Sequence, residues 1–324
     1  MKRFVIKILL FVLAPVLFII LASIFAIVLP TGTRVLTYYL AFGTKQMDML
    51  LATVESPRII FVGGSSVNTG LNGQIIKDSL GLNPINAGLH AGLGLKYMLD
   101  NTHRYVKKGD VVVVAPEYVH FQLTPNWVSE VLVEVVIKLD RSKISLLSFK
   151  QMKNSLPHIN KLIRNSLEDI ISTSVDKENI YRGESFMKMK MMELKFNEYG
   201  DYYGLWDLDY QNFLPYELDI NFYNSEVMEN LKKLEKKIHK KGAVLYVSYP
   251  PYENESFDIG IETIKKIEHE YMRYGFALLG TPEKYRMDSS LMSDTPYHPN
   301  GTGVVLRTEL VIEDLKEAGI GVKF

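Results

Sequence analysis

The 324-residue chain contains no cysteine, and its Lys+Arg and Asp+Glu counts are equal at 37 each. The absence of cysteine excludes disulfides, thiolate zinc sites and thiol catalysis. A zero charge balance gives no electrostatic footprint for nucleic acid, so we expect no nucleic-acid partner. Any chemistry must therefore use oxygen and nitrogen groups, in a chain whose 47% hydrophobic content can fill a sizeable core.

Several common motifs are also missing. No GxxxxGK[ST] segment occurs, which excludes a P-loop for nucleotide phosphates. The segment "AGLGLKYM" has Gly92 and Gly94 but lacks the third glycine of a dinucleotide fingerprint. The seven histidines form no HExxH or HxH pair. We therefore expect neither a catalytic metal nor another cofactor.

The N-terminus carries a targeting feature. Residues 8–29 form an uncharged apolar run that follows Lys2, Arg3 and Lys7. As a helix this run is about 33 Å long, which matches a hydrocarbon core of about 30 Å. A cleaved signal peptide is the alternative, but its apolar region has only about 7–15 residues. We expect a single-pass anchor over residues 1–30, with a cytoplasmic N-terminus and the remaining chain extracytoplasmic.

Beyond the anchor, residues 31–57 predict a helical juxtamembrane segment, and strand and helix patterns then alternate. Apolar runs predict strands at 58–63, 84–88, 110–118, 243–252 and 276–280. Helical patterns cover 72–81, 93–109, 226–242, 259–275 and 301–319. Such alternation predicts an α/β domain over 58–324 with a doubly wound, flavodoxin-like parallel sheet in three layers. A helical insert at about 120–223 interrupts it.

One strand leads into two adjacent serines. In "IIFVGGSSVNTG" the buried strand ends at a turn that holds Ser65 and Ser66. Ligands of parallel sheets lie beyond the carboxyl ends of the strands, so a serine here is placed for chemistry. A plain strand-to-helix turn is the alternative.

A serine nucleophile needs a base and an oxyanion hole. The best base is His298 in "SDTPYHPNGTG", and Asp294 four residues earlier is suited to hold its tautomer. The backbone N–H groups of Ser66 and Gly88 are the expected oxyanion donors.

The segments "GGSSVNTG", "NAGLHAG" and "DTPYHPNGTG" resemble blocks of the SGNH/GDSL hydrolase superfamily. The resemblance is greatest to its membrane-anchored branch, which serves envelope O-acylation. It implies that Ser66 is the nucleophile, that Ser65 replaces the family aspartate and is the alternative nucleophile, and that Gly88 is the second-block glycine.

Besides the serine in place of the aspartate, the chain departs from the family pattern at two further places. The last block is usually Asp-x-x-His, whereas Asp294 and His298 are one residue further apart. The third block should supply an oxyanion-hole asparagine, but "APEYVHF" has Glu117 instead. Glu117 and His90 are candidates to line the site. The alternatives are that Glu117 is a buried carboxylate with its hydrogen bonds made, and that His90 is an ordinary polar loop residue.

The resemblance covers residues 58–120 and 243–318. It implies a serine esterase or O-acyltransferase that moves an acyl group, acetyl by expectation, to or from a cell-envelope polysaccharide. It also implies a multi-spanning membrane O-acyltransferase as a partner. The alternative is a catalytically degenerate glycan-binding or scaffolding subunit, and a lipase or phospholipase has less support.

The aromatic run at 199–213 lies outside the resemblance. Packing, for instance of a lid, is the commonest role of such residues. Tyr202, Tyr203 and Trp206 are nevertheless candidates to stack on sugar rings of a glycan.

Overall fold

The computed structural model describes residues 35–175 and 195–321, together with a few scattered positions before residue 35. The anchor predicted over residues 8–29 falls mostly outside these residues, as does most of the methionine-rich segment at 186–196. Among the described helices, none is both long enough and apolar enough to cross a bilayer. The anchor therefore stays a prediction.

A parallel sheet of four strands forms the centre of the domain, in the order β2-β1-β3-β4. The strands are β1 (Arg58–Gly63), β2 (Asn83–Asn86), β3 (Val111–Ala115) and β4 (Val244–Val247). Every residue of β1 and β3 is buried, which explains their nearly unbroken apolar sequences. The α/β class and the parallel sheet are thus confirmed.

The last predicted strand is reduced to a single contact. Residues 276–280 supply one parallel bridge, between Leu278 and Val247, rather than a strand. A separate two-stranded pair joins β5 (Tyr252–Glu253) to β6 (Arg286–Met287). The prediction of a strand over 243–252 was too long, because the chain leaves the sheet after Val247.

Helices cover most of the remaining described chain. They are α1 (Val35–Thr53), α2 (Ser65–Thr69), α3 (Gly73–Leu80), α4 (Leu95–Tyr105), α5 (Glu130–Val133), α6 (Phe149–Asn154), α7 (Leu156–Val175), α8 (Glu226–Lys240), α9 (Asn254–Ile259), α10 (Ile261–Arg273) and α11 (Gly301–Glu317). A π-helical segment, Glu134–Leu139, continues α5. The five predicted helices are confirmed with shorter ends. In the insert, residues 130–175 are mostly helical, whereas residues 195–223 contain a single short 3₁₀ turn, Ile220–Phe222.

Helix α1 lies within the domain rather than beside it. Leu40 and Leu51 are fully buried in the core, and Asp48 forms an ion pair with the buried side chain of Lys143. Within the segment 31–57, residues Val35–Thr53 are therefore helical, and this helix is a packed element of the α/β domain. The apolar face of α1 supplies the physical reason, since it covers the edge of the sheet near β2.

The sheet topology positions the serine turn. The chain runs from β1 to β2 on one side and then returns to β3 on the other side of β1. The last pair of the β1–β3 register joins Gly63 to Ala115. The residues that follow these two positions, Ser65 and Glu117, therefore emerge side by side at the carboxyl edge where ligands of such sheets bind.

Candidate active site

The turn after β1 is built around Gly64, which has an extended backbone and begins α2. A Cβ at this position would lie 2.4 Å from Glu117 Oε1 and 3.1 Å from Ala91 Cα. A side chain at position 64 would collide with both, so glycine permits this close approach. The short helix α2, which the sequence did not predict, starts directly at the two serines.

The two serines differ in their surroundings. Ser66 is fully buried, and its Oγ has no hydrogen-bond partner. Ser65 is partly exposed, and its Oγ lies 3.5 Å from Glu117 Oε1, at the outer limit of a hydrogen bond. Of the two serines, Ser65 is therefore the residue that is open to solvent in this structure.

The structure brings Asp294 and His298 together. His298 Nδ1 lies 2.7 Å from Asp294 Oδ1. Because a carboxylate only accepts hydrogen bonds, Nδ1 carries the proton, and in the neutral ring Nε2 is left bare, as a general base requires. Burial opposes ionisation of Asp294, but hydrogen bonds from His298 and Ser293 outweigh it and hold the pKa of Asp294 below its ordinary value.

A tight turn accommodates the extra residue between the aspartate and the histidine. The N–H of His298 donates to Thr295 O at 3.2 Å, and the N–H of Ser293 donates to His298 O at 2.8 Å. Asn300 then caps α11 by accepting from Gly303 N at 3.1 Å. The longer spacing therefore still forms the Asp–His pair.

Two side chains tie this loop to α2. Arg307 of α11 is buried, and its Nη1 donates to the carbonyl oxygen of Ser66. Trp206 Nε1 donates to Thr69 O at 2.8 Å, and Trp206 O accepts from Gly301 N at 2.8 Å. Burial lowers the pKa of Arg307 to about 10, so the side chain stays charged at neutral pH.

The histidine loop thus lies against the serine-bearing helix, with Pro299 packed beside Gly70. Among the described residues, however, neither serine hydroxyl is hydrogen-bonded to His298. Catalytic hydrogen bonds are often long or absent without substrate and tighten when it binds.

The two amides predicted to form the oxyanion hole are both occupied. Ser66 N donates to Glu117 Oε1 at 2.9 Å, and Gly88 N donates to Asn86 Oδ1 at 3.1 Å. Glu117 is 3% exposed and stands two residues past β3, where the family resemblance implies an asparagine. The predicted pair of amides is therefore not free for a substrate oxygen in this conformation.

His90 lies on the same edge of the sheet. Its Nδ1 accepts from Gly92 N at 2.9 Å and caps the short 3₁₀ turn Ala91–Leu93. Burial lowers the pKa of His90, while the charge of Glu117 raises it and that of His298 lowers it further. Glu117 and His298 are therefore both within electrostatic reach of His90.

The aromatic candidates have different environments. Tyr202 is 9% exposed, and its ring lies 5.1 Å from that of Tyr39 and 5.0 Å from that of Phe196. Tyr202 is thus a packing residue and is closed to a sugar ring. Tyr203 is 37% exposed, and its ring lies 6.0 Å from the partly exposed Trp206.

The sequence interpretation missed two polar residues behind the serine turn. Tyr39 OH lies 2.7 Å from Asn68 Oδ1 and 2.5 Å from Leu89 O, and Asn68 Nδ2 donates to Gly200 O. These contacts link α1, α2 and the loop after β2. Asn68 was visible inside "SSVNTG", but Tyr39 lies outside the segments of resemblance and gave no signal.

Comparison with protein-family models finds no match, and comparison with curated proteins finds none either. Within residues 35–175 and 195–321, no group of His, Asp and Glu side chains is arranged to hold a metal ion. The chemistry of this edge must therefore be argued from its own geometry.

Proposed function

We propose that this protein is a serine-dependent esterase or O-acyltransferase. The observation that carries the proposal is the Asp294–His298 pair, whose bare Nε2 lies on a loop packed against the helix of the two serines. The strand order β2-β1-β3-β4 supports the finer fold of the proposal, a doubly wound, three-layer sheet of the SGNH type.

In the proposed reaction a serine hydroxyl is the nucleophile and the Asp294–His298 pair is the base. Serine Oγ bonds to the acyl carbon of an ester while its proton passes to His298 Nε2. The carbonyl oxygen becomes an oxyanion, the carbon–oxygen bond to the alcohol breaks, and His298 returns the proton to the leaving alkoxide. Water then attacks the acyl-serine in a hydrolase, whereas a sugar hydroxyl attacks it in a transferase, with His298 again taking the proton.

We assign the nucleophile to Ser65 rather than to Ser66, which the family resemblance implied. Ser66 Oγ is enclosed and unpartnered, so a substrate could reach it only after the turn rearranged. Ser65 is partly exposed, and its Oγ lies 3.5 Å from the Glu117 carboxylate.

The setting of the reaction is also part of the proposal. The apolar run at residues 8–29 favours a membrane-anchored protein with an extracytoplasmic domain. The exposed aromatic pair of Tyr203 and Trp206, joined to α2 through Thr69, suits a polysaccharide substrate. The family resemblance implies that the transferred group is acetyl. It also implies a multi-spanning membrane O-acyltransferase as the partner.

A second candidate function is a glycan-binding or scaffolding subunit with an inactive site. The occupied amides of Ser66 and Gly88 favour it, because an oxyanion would have to displace Glu117 or Asn86.

Labelling with a fluorophosphonate, which reacts only with activated serines, distinguishes the two functions. The full-length protein in detergent would be labelled, and the adduct mapped by peptide mass spectrometry. We expect an adduct on Ser65 that is lost in Ser65→Ala and His298→Ala. Ser66→Ala is the matched control and should keep the adduct, because Ser66 Oγ makes no hydrogen bond. No adduct on folded protein would support the binding subunit, and an adduct on Ser66 would restore that residue as nucleophile.

A further inference from the structure

A serine esterase needs more than a nucleophile and a base, because negative charge develops on the carbonyl oxygen in the transition state. Preorganised N–H donors usually stabilise that charge. In this protein the N–H groups of Ser66 and Gly88 already donate to side-chain oxygens. The position after β3 that should carry an amide donor carries the carboxylate of Glu117. A donor from another element would fill this gap.

His90 provides a donor whose tautomer is fixed. The N–H of Gly92 can only donate, so the Nδ1 atom that accepts from it carries no proton. A neutral imidazole must then carry its proton on Nε2. His90 Nε2 has no hydrogen-bond partner among the described residues and is not one of the enclosed, unpartnered polar atoms. It is an accessible N–H donor.

The loop that carries His90 packs along the serine turn. A Cβ on Gly88 would lie 2.7 Å from Asn68 N, and a Cβ on Gly64 would lie 3.1 Å from Ala91 Cα. The backbone on both sides of His90 therefore lies against the serine turn, at Gly64 before α2 and at Asn68 within α2. The cap that the imidazole provides to Gly92 fixes the orientation of the ring within this loop.

We infer that His90 is a catalytic residue whose Nε2–H donates a hydrogen bond to the oxyanion formed when Ser65 attacks an acyl group. This inference rests on the proposed function. The donor takes the part that the family resemblance gives to a third-block asparagine. The lowered pKa of His90 agrees with a neutral ring that polarises a carbonyl group without giving up its proton. His90 does not compete with His298 as base, because its Nε2 already carries a proton.

Two substitutions distinguish the role of His90 as a hydrogen-bond donor from its role as the cap of the 3₁₀ turn. Asn at position 90 places Oδ1 near the former Nδ1 and keeps an acceptor for Gly92 N, but its amide does not reach the Nε2 position. Gln places its amide nitrogen near the former Nε2 and loses the acceptor beside Gly92. His90→Asn therefore keeps the structural role and removes the donor, whereas His90→Gln does the reverse.

The experiment measures hydrolysis of p-nitrophenyl acetate by the full-length protein and its two variants, with thermal unfolding as the structural readout. We expect kcat of His90→Asn to fall about 100-fold, with KM changed less than about twofold, the size typical of one lost oxyanion donor. We expect His90→Gln to keep kcat within about 10-fold of wild type despite a lower Tm, because it retains a donor.

The opposite order, with His90→Asn as active as wild type and His90→Gln inactive, would overturn the inference and leave His90 as a cap only. Equal kcat in the two variants would overturn it as well. Fluorophosphonate labelling of the same samples separates this failure from that of the proposed function. A labelled, active wild type with an active His90→Asn refutes only the role of His90. A wild type that neither labels nor turns over ester refutes the proposed function, and the inference with it.

Discussion

Two loops at the carboxyl edge of the sheet each present a histidine, and their local hydrogen bonds give the two rings opposite tautomers. In the loop at 88–94, His90 Nδ1 accepts from Gly92 N, so the proton is on Nε2. In the loop at 293–300, His298 Nδ1 donates to Asp294, so Nε2 is bare. One ring is therefore suited to donate to an oxyanion and the other to take a proton. The comparison shows that a partner two or four residues away determines which chemistry an imidazole can perform.

Replacing the base tests the histidine loop most severely. We expect His298→Ala to lower kcat/KM for p-nitrophenyl acetate by about 10³-fold or more, because the variant removes the general base of the proposed reaction. Unfolding by urea is the control for folding. Activity within about tenfold of wild type would mean that His298 is not the base, and the contrast between the loops would be lost.

Removing the carboxylate tests how the tautomer is fixed. We expect Asp294→Asn to lower kcat/KM by about 10²–10³-fold, because an amide can donate to Nδ1 and so place the imidazole proton on Nε2. We expect a smaller loss of kcat/KM than in a fully buried triad, since the side chain of Asp294 is 40% exposed. A loss under about threefold would show that the pair at 2.7 Å does not control the base.

The loop of His90 is supported by a buried carboxylate that makes it sensitive to pH. Asp201 accepts from Asn86 Nδ2 at 2.9 Å, and Asn86 in turn accepts from Gly88 N. Burial raises the pKa of Asp201 to about 6, against hydrogen bonds that lower it. An unfolded aspartate has a pKa near 3.9, so the folded state binds the additional proton between about pH 4 and 6.

The contribution of Asp201 to stability is therefore full below about pH 4 and is lost as the pH rises through about 6. We expect the free energy of unfolding of Asp201→Asn to gain up to about 3 kcal/mol relative to wild type between pH 4 and 7. Urea titrations at both pH values measure this difference. If the difference in free energy of unfolding between Asp201→Asn and wild type were the same at pH 4 and pH 7, the raised pKa of Asp201 would be contradicted.

Helix capping gives the smallest effect and a matched control. Asn300 caps α11 directly after the histidine loop, and Asn72 caps α3 by accepting from Ile75 N at 3.2 Å. We expect alanine at either position to cost about 1 kcal/mol of stability in urea unfolding. Only Asn300→Ala should also lower kcat, because it loosens the loop of His298. Equal losses of kcat would mean that the loop does not depend on its cap.

Local relations could be predicted from the sequence. Asp294 and His298 share one short segment, so their pairing needed no knowledge of the rest of the fold. The parallel sheet followed from its apolar strands, because burial on both faces leaves that pattern. The prediction of a strand at 276–280 was wrong. The segment "FALLG" has a strand composition but makes a single β-bridge at the sheet edge.

Relations between distant segments could not be predicted. Which serine is exposed depends on how α2 packs against Glu117 and on the buried Arg307, which lie about 50 and 240 positions away. The occupancy of the amides of Ser66 and Gly88 likewise depends on side-chain rotamers, which no spacing rule encodes. The tautomer of His90 was within reach of the sequence, because its partner Gly92 is two residues away, but nothing marked that contact as different from an ordinary loop bond.

The most direct test of the opposite tautomers is ¹⁵N–¹H NMR of the full-length protein labelled on histidine, with His90→Asn and His298→Asn to assign the two rings. Above the titration range of both rings, the account predicts a protonated Nε2 on His90 and a protonated Nδ1 on His298. A protonated Nδ1 on His90, or a protonated Nε2 on His298, would contradict it and remove the division of roles between donor and base.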